Sequence, residues 1–324
     1  MRILFLHSRK FDYGQDLMFS GLWAHLGPGH VFGHPRPWHD FLPTRPYPKN
    51  LGYVGPRGLL QRGIAPEEAD LVVVGACKPD VFATYLALQP RIPRDVPVFL
   101  LDGGDREEIG GDLARLGAPE AFAQAEARRP FDRIFKREYL KGREYPDRVQ
   151  PLPFAMNLHA LGSGPQPTKD MDVTFWAMES HPVRKRAFEL LRGRFDCDAN
   201  GTGRAESLKS YRHRGNRYHR ALARSRIAIS LRGGGWDTLR YWEIPALGPL
   251  MVTTPLDIVI PMDFVDRVHV VRCQSDLSDL VDLCEHYLRH EDERERIAAA
   301  GRAHLLAHHT NVARARQLLG FVGR

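Results

Sequence analysis

The chain has 324 residues, with 46 Lys and Arg against 39 Asp and Glu, a formal net charge of +7, 43% hydrophobic and 26% charged residues. That length exceeds one ordinary core and fits two domains of roughly 150 residues each, and the composition excludes a disordered, collagen-like or coiled-coil protein. A basic surface attracts anions such as nucleotide phosphates, nucleic acid or acidic lipid, but the cations are spread along the chain and do not choose among these.

The four cysteines, Cys77, Cys197, Cys273 and Cys284, form no C-x-x-C pair, so neither a zinc site nor a thioredoxin-type motif is expected. The opening run MRILFLHSRK holds a shorter apolar stretch than the roughly 7–15 residues of a secretory signal. No run approaches the roughly 18 apolar residues of a membrane span. The expectation is a cytoplasmic protein with reduced thiols and no membrane span.

RILFLH (2–7) reads as a first strand, continuous and apolar as in a parallel sheet covered on both faces. A loop, SRKFDYGQD, leads to a helix, LMFSGLWAHLG, ending at Gly27. Residues 27–60 are rich in Pro, Gly, His and Trp and show weak periodicity. Further strands are expected at 69–76, at 96–105 with two aspartates at its end, at 131–136 and at 149–156, with helix-like stretches between them. Residues 157–170 carry Gly, Pro and Ser without apolar period and read as a linker. The pattern then restarts. Strands are expected at 171–178, 226–232, 249–254 and 269–273. Helices are expected at 181–195, with Pro in the first turn, at 218–225, from Thr238, as a pair within 275–309, and at 311–319. The whole reads as two α/β domains, 1–156 and 171–306, a linker at 157–170, and a terminal helical segment, 307–324, that packs back on the first domain.

The segment RIAISLRGGGWDTLRYWE is strand, glycine loop and helix start. Glycines such as Gly234 and Gly235 let the backbone approach a ligand and expose N–H groups. A helix start at Thr238 adds partial positive charge that favours a phosphate. Arg240 supplies a planar, permanently charged fork suited to a diphosphate. Glu243, one turn on and on the same face, suits ribose hydroxyls, as acidic residues do in other nucleotide sites. The same two residues also fit a surface ion pair worth about 0.2–0.5 kcal/mol. The aromatic-rich setting of Trp236, Tyr241 and Trp242 between two buried strands favours a pocket.

Read with PALGPLMV, this segment resembles the donor site of GT-B glycosyltransferases, closest to the CgeB-like and exostosin-like groups. DYGQDLMFSGL (12–22), FKREYL (135–140) before PLPFAMN (151–157), and AHHTNVARARQLL (307–319) are similar to other CgeB-like segments and occur in the same order. The resemblance implies a GT-B fold of two Rossmann-like domains facing across a cleft, the first for an acceptor and the second for a nucleotide-diphospho sugar such as a UDP-, GDP- or dTDP-sugar. It implies Arg240 on the donor diphosphate and Glu243 on the ribose or sugar. Arg184 and Arg186 would reach the phosphates, or else be solvated charges on an amphipathic helix. Lys136 and Arg137 would face the cleft, or else be ordinary strand-end charges.

Glycosyl transfer needs the leaving diphosphate stabilised and, in an inverting enzyme, a base from the opposite domain. Asp12, Asp102 and Asp105 lie at carboxyl ends of strands and are the candidates, with His7 beside them. Each also fits a structural reading: a helix cap for Asp12, a turn for Asp102 and Asp105, packing for His7. Asp196-Cys197-Asp198 is formally a D-x-D, but falls where a GT-B enzyme has a strand end and loop, so no metal is expected. The acceptor is left open among saccharide, protein, small molecule and, as an alternative, a modified nucleic-acid base; an inactive sugar-nucleotide-binding module is the non-enzymatic alternative. A Rossmann oxidoreductase would need G-x-G-x-x-G after the first strand, and HSRKFDYGQD lacks it.

Overall fold

The computed structural model describes residues 1–37, 41–42, 51–161, 166–197 and 216–323. They form two compact units. The first comprises Met1–Ala160 with Ile258–Pro261 and Thr310–Arg324, and the second Leu161–Asp257 with Met262–His309.

The first unit is built on β1 (Ile3–Leu6), α1 (Tyr13–Leu26), β2 (Val31–His34), β3 (Leu71–Val74), α2 (Pro79–Leu88), β4 (Val98–Asp102), α3 (Gly111–Arg115), α4 (Ala121–Arg128), β5 (Arg133–Lys136) and β6 (Val149–Pro151). Its sheet has the order β2-β1-β3-β4-β5-β6, and every pair is parallel. The continuous apolar runs have a direct cause. Leu4, Leu6, Val72, Val74, Val98 and Leu100 enter one core, while Ile3, Phe5, Leu71, Val73, Phe99 and Leu101 enter the other. A strand side-chain period of two therefore fills two cores, one on each face. Fully burying each such residue contributes about 1.5–3 kcal/mol, against about 0.2–1 kcal/mol for a cross-strand pair. Burial places these strands more than pairing does.

The second unit holds β7 (Met171–Thr174), α5 (Pro182–Leu191), α6 (Asn216–Ala223), β8 (Ser225–Ser230), α7 (Leu239–Leu247), β9 (Leu250–Thr253), β10 (Val271–Arg272), α8 (Leu280–Arg289) and α9 (Glu291–His308). Its parallel sheet runs β10-β9-β8-β7. Val173, Ile227, Ile229, Leu250 and Val252 share one core with Phe188, Leu280 and Ile297 from the helices. The α/β class expected from the sequence is the class observed.

Several boundaries differ. β2 lies within the stretch of weak periodicity, and only Val31 of its four residues is buried; an edge strand of this kind carries little hydrophobic signal. The apolar run 149–156 is extended only to Pro151, after which Leu152–Ala155 leave the sheet. α5 stops at Leu191 because Gly193 turns the chain with φ 70°.

The last helix, α10 (Asn311–Leu319), belongs to the first unit. It lies against α1, and the contact is fixed by a buried polar hub. Asn311 Nδ2 donates to Ser20 Oγ and to Asn157 Oδ1, both at 3.1 Å, while Asn311 Oδ1 accepts from Leu158 N at 3.2 Å. Gly21 makes the approach possible, since a Cβ there would lie 2.1 Å from the Asn311 carbonyl oxygen. Gly21→Ala sets two effects against each other. Helix propensity gains about 1 kcal/mol, whereas overpacking a backbone contact costs about 1–3 kcal/mol or more. The clash is with backbone and has no side chain to yield, so urea unfolding is expected to show a lower midpoint for the variant; a raised midpoint would mean the helices are not in this contact.

Candidate active site

β7 and β8 are parallel neighbours, so their carboxyl ends lie on one edge of the second sheet. Each continues through a loop into a helix, β7 into α5 and β8 into α7. The unbonded N–H groups of the first helical turns therefore point at that edge. His181 caps α5, its Nδ1 accepting from Val183 N at 3.2 Å. Thr238 is the extended N-cap residue of α7 (φ −126°, ψ 148°), and its side chain makes no capping bond.

Arg184 ties the two loops together. From the first turn of α5, its Nε donates to Arg232 O at 2.9 Å and its Nη2 to Leu231 O at 3.0 Å, both in the loop after β8. Its Nη1 donates to Met178 O and Ser180 Oγ, both at 3.0 Å, in the loop after β7. The side chain is 6% exposed. Gly233 packs tightly here, since a Cβ would meet Arg184 Nη2 at 3.0 Å and Ser180 Oγ at 3.3 Å. Beyond it the loop tightens, with Gly233 N donating to Gly235 O at 2.9 Å. Gly234 is exposed and Gly235 buried. The Arg232 guanidinium stacks over the Trp236 ring at 3.8 Å, and Trp242 Nε1 donates to buried Asp237 at 2.8 Å.

Arg240 sits half-buried on the first turn of α7, next to the glycine loop. Glu243, one turn on, is buried, and its carboxylate accepts from Tyr218 OH at 2.9 Å and His219 Nε2 at 3.0 Å, both on α6. Tyr218 and His219 were not distinguished by sequence from any helix residues; their one trace is an adjacent polar pair in YHRALARS. Arg186 is exposed on α5, away from the face that carries Arg184, as the amphipathic alternative requires.

The first unit places the remaining candidates differently from one another. Asp12 caps α1 through Gln15 N at 3.1 Å, pairs with Lys78 Nζ at 3.1 Å, and lines a cavity over the ends of the first, third and fourth strands. Asp102 and Lys136 find each other: the ammonium, fully buried, bonds Asp102 Oδ2 at 3.1 Å, Arg106 O at 2.9 Å and Glu108 O at 3.2 Å. Asp102 also accepts from Gly110 N at 3.1 Å. An ammonium has three N–H donors, so all three of Lys136 are engaged in holding the loop after β4. Asp105 pairs with Arg137, whose guanidinium lies 4.4 Å from the Phe154 ring centroid. His7 is buried against Phe5 and Phe19, at ring-centroid distances of 4.7 and 4.5 Å. Asp198 of the D-x-D lies outside the described residues. Among the described residues, no helix is long and apolar enough to cross a membrane.

The charge environment of His181 is distinctive. Burial, then the positive charges of Arg232 and Arg184, hold its imidazole below the ordinary value of 6.5. The neutral ring is the one that can accept from Val183 N.

Residues 183–320 match a family model described as "Glycosyl transferase-like". A search of curated proteins returned no match. Among solved structures, an alpha-glucosyltransferase in complex with UDP-glucose and DNA containing an abasic site superposes with a TM-score of 0.67 at 11% identity, over 100% of both chains. Anabaena HepE in complex with UDP-glucose gives 0.62 at 10% identity, over 99% of this chain and 98% of that one. Sucrose-phosphate synthase from Thermosynechococcus elongatus gives 0.56 at 9%, over 98% and 97%. The fold is thus that of the GT-B glycosyltransferases. The family match adds that the segment carrying the glycine loop is similar to glycosyltransferases.

Two measurements separate structural from ligand roles. Lys136→Met leaves the buried Asp102 carboxylate unpaired and is expected to lower stability by about 3–5 kcal/mol, while nucleotide affinity of the folded protein, read by calorimetry, stays unchanged. For His181 the folded state resists protonation, so below about pH 6.5 the unfolded chain binds more protons and stability falls with falling pH. His181→Asn keeps a capping acceptor; thermal melts from neutral to acid pH are expected to fall less steeply for this variant than for the parent.

Proposed function

We propose that the protein transfers a sugar from a nucleotide-diphospho sugar, held at the carboxyl edge of the second sheet, to an acceptor hydroxyl bound by the first unit. One observation carries the reading: the glycine loop, the start of α7 and the Arg184-clasped loop after β7 meet at the ends of two adjacent parallel strands, and the glycine loop and α7 lie within the segment that matches the glycosyl transferase-like family. Gly234, Gly235 and the first N–H groups of α7 after Thr238 receive the diphosphate, with Arg240 supplying the positive charge that stabilises the leaving group. That charge does the work a metal would do, so we include metal independence in the reading. Glu243, positioned by Tyr218 and His219, takes the ribose. Arg184 shapes the loops and does not itself grip the phosphates. Uridine is the nucleotide of first choice, because two of the three neighbours named above were solved with UDP-glucose. Of the three aspartates we assign the base role to Asp12, since it lines a cavity, whereas Asp102 is 1% exposed and bonded to Lys136. Within the class we place the chain beside the CgeB-like group on its four matching segments, and in a reducing, cytoplasmic compartment, since Cys77, Cys273 and Cys284 are buried and unbridged.

A second reading, transfer to a nucleic-acid base, is favoured by the DNA-bound alpha-glucosyltransferase among the neighbours. The inactive-module alternative is separated by donor hydrolysis, which a binding module lacks.

Thermal shift with UDP, GDP, dTDP and CDP tests the donor site. A nucleotide at 100 times its dissociation constant adds about 2.7 kcal/mol of stability. We expect a shift with UDP, and a dissociation constant raised about tenfold to a hundredfold in Arg240→Ala, the size of a lost charge-assisted hydrogen bond. A folded sample that shifts with none of the four nucleotides would refute the donor site.

A further inference from the structure

We propose that the cavity at the branch point of the first sheet binds a neutral, polyhydroxylated ligand, a saccharide; naming that ligand the acceptor rests on the glycosyltransferase reading above. β1 pairs with β2 on one side and β3 on the other, so the connections after β1 and after β3 run in opposite directions along the sheet. In open parallel sheets such a reversal leaves a crevice beyond the strand ends where ligands bind. A cavity of about 240 Å³ occupies this place, large against the roughly 30 Å³ of one water.

Its lining is charged in pairs. Lys78 Nζ lies 3.1 Å from Asp12 Oδ2, and Arg115 Nε lies 3.1 Å from Asp112 Oδ1. These two cations and two carboxylates cancel, so the cavity offers a polyanion no net attraction. Each pair instead sets a carboxylate oxygen beside an N–H donor. A sugar hydroxyl both donates and accepts and matches that alternation. Asp112 is seated against the loop after β4: a Cβ on Gly104 would meet its Oδ2 at 2.3 Å, so the glycine lets this carboxylate line the cavity. At the rim, Tyr13 is 37% exposed and its ring is braced edge-on by Phe154 at 6.3 Å. An exposed aromatic with an apolar face and a polar tip at the edge of a polar cavity is a platform for a sugar ring.

Saturation-transfer NMR and calorimetry on the full chain, with and without UDP, test this. The probes are glucose, galactose, N-acetylglucosamine and maltose, with glucuronate and a short DNA duplex as anionic comparisons. At least one neutral sugar is expected to bind, with an affinity flat between about 50 and 200 mM salt. Tyr13→Ala and Asp112→Asn, on different walls and each checked by thermal unfolding, are expected to weaken it about tenfold while leaving the UDP shift unchanged. Three results overturn the proposal: no neutral sugar bound by protein that binds UDP, sugar binding unaltered in both variants, or DNA bound with a steep salt dependence that Tyr13→Ala abolishes. Sugar binding through Tyr13 and Asp112 in protein that ignores every nucleotide would support the cavity and refute the donor site alone.

Discussion

Everything proposed for the second unit depends on one guanidinium. The loops after β7 and β8 are separate pieces of chain, and nothing in the sheet ladder fixes their relative height above the strand ends. Arg184 does so by donating to carbonyls of both. Lysine could not substitute, because its three donors radiate from one point, whereas the arginine fork spans the gap in a fixed plane. The first glycine of the loop follows from the same fact. A side chain on Gly233 would press on Arg184 Nη2, so packing against the clasp is reason enough for one of the three consecutive glycines.

The first unit solves the equivalent problem with an ion pair. The chain after β4 must turn over Gly103 and Gly104 and return into α3. Lys136 at the end of β5 reaches across to Asp102 and to two carbonyls of that turn. Burying this pair is tolerable because each partner has further hydrogen bonds: the ammonium to Arg106 and Glu108, the carboxylate to Gly110. The result is a rigid rim on one side of the cavity that carries Asp12 and Asp112. In both units, then, the strand-end loops are held by a buried cation bonded to carbonyls, and the residues left facing outward are the ones available to a ligand.

This division explains what could be read from the sequence. The strands with both faces buried, such as Leu71–Val74 and Val98–Asp102, announce themselves as unbroken apolar runs. β2 did not, since as an edge strand it is largely unburied. The glycine loop and the start of α7 were legible because local chemistry determines them: glycine runs, a Thr at the N-cap, a short helix. Partners separated by tens of residues were not. Glu243 was visible as a candidate, but its attachment to Tyr218 and His219 is a tertiary fact that no spacing encodes. Arg184 and Arg186 looked equivalent in HPVRKRAF; two residues of helical rotation put one inside and the other in solvent. The bonding of Lys136 is hidden for the same reason: a lysine at a strand end gives no sign of whether the loop after a neighbouring strand folds over it.

The excess of positive charge takes on a different meaning in this light. A net charge of +7 suggests a surface built for anions, but composition counts every arginine alike. Arg129, which is 7% exposed, bonds the carbonyls of Ile92, Pro93, Arg94 and Val96. Arg314, 5% exposed, bonds those of Pro153 and Phe154, and Arg184 bonds three more. These three guanidiniums serve as fasteners for loops, bonding backbone carbonyls. A buried cation still contributes to the long-range field, but it offers no hydrogen bond to a phosphate, and strong nucleic-acid binding rests on cations that reach phosphates. Where exposed charge does line a cavity, over the first, third and fourth strands, it is matched pair by pair. Basic composition and a polyanionic acceptor are thus separable in this chain, and the local pairing is the better guide to what the first unit binds.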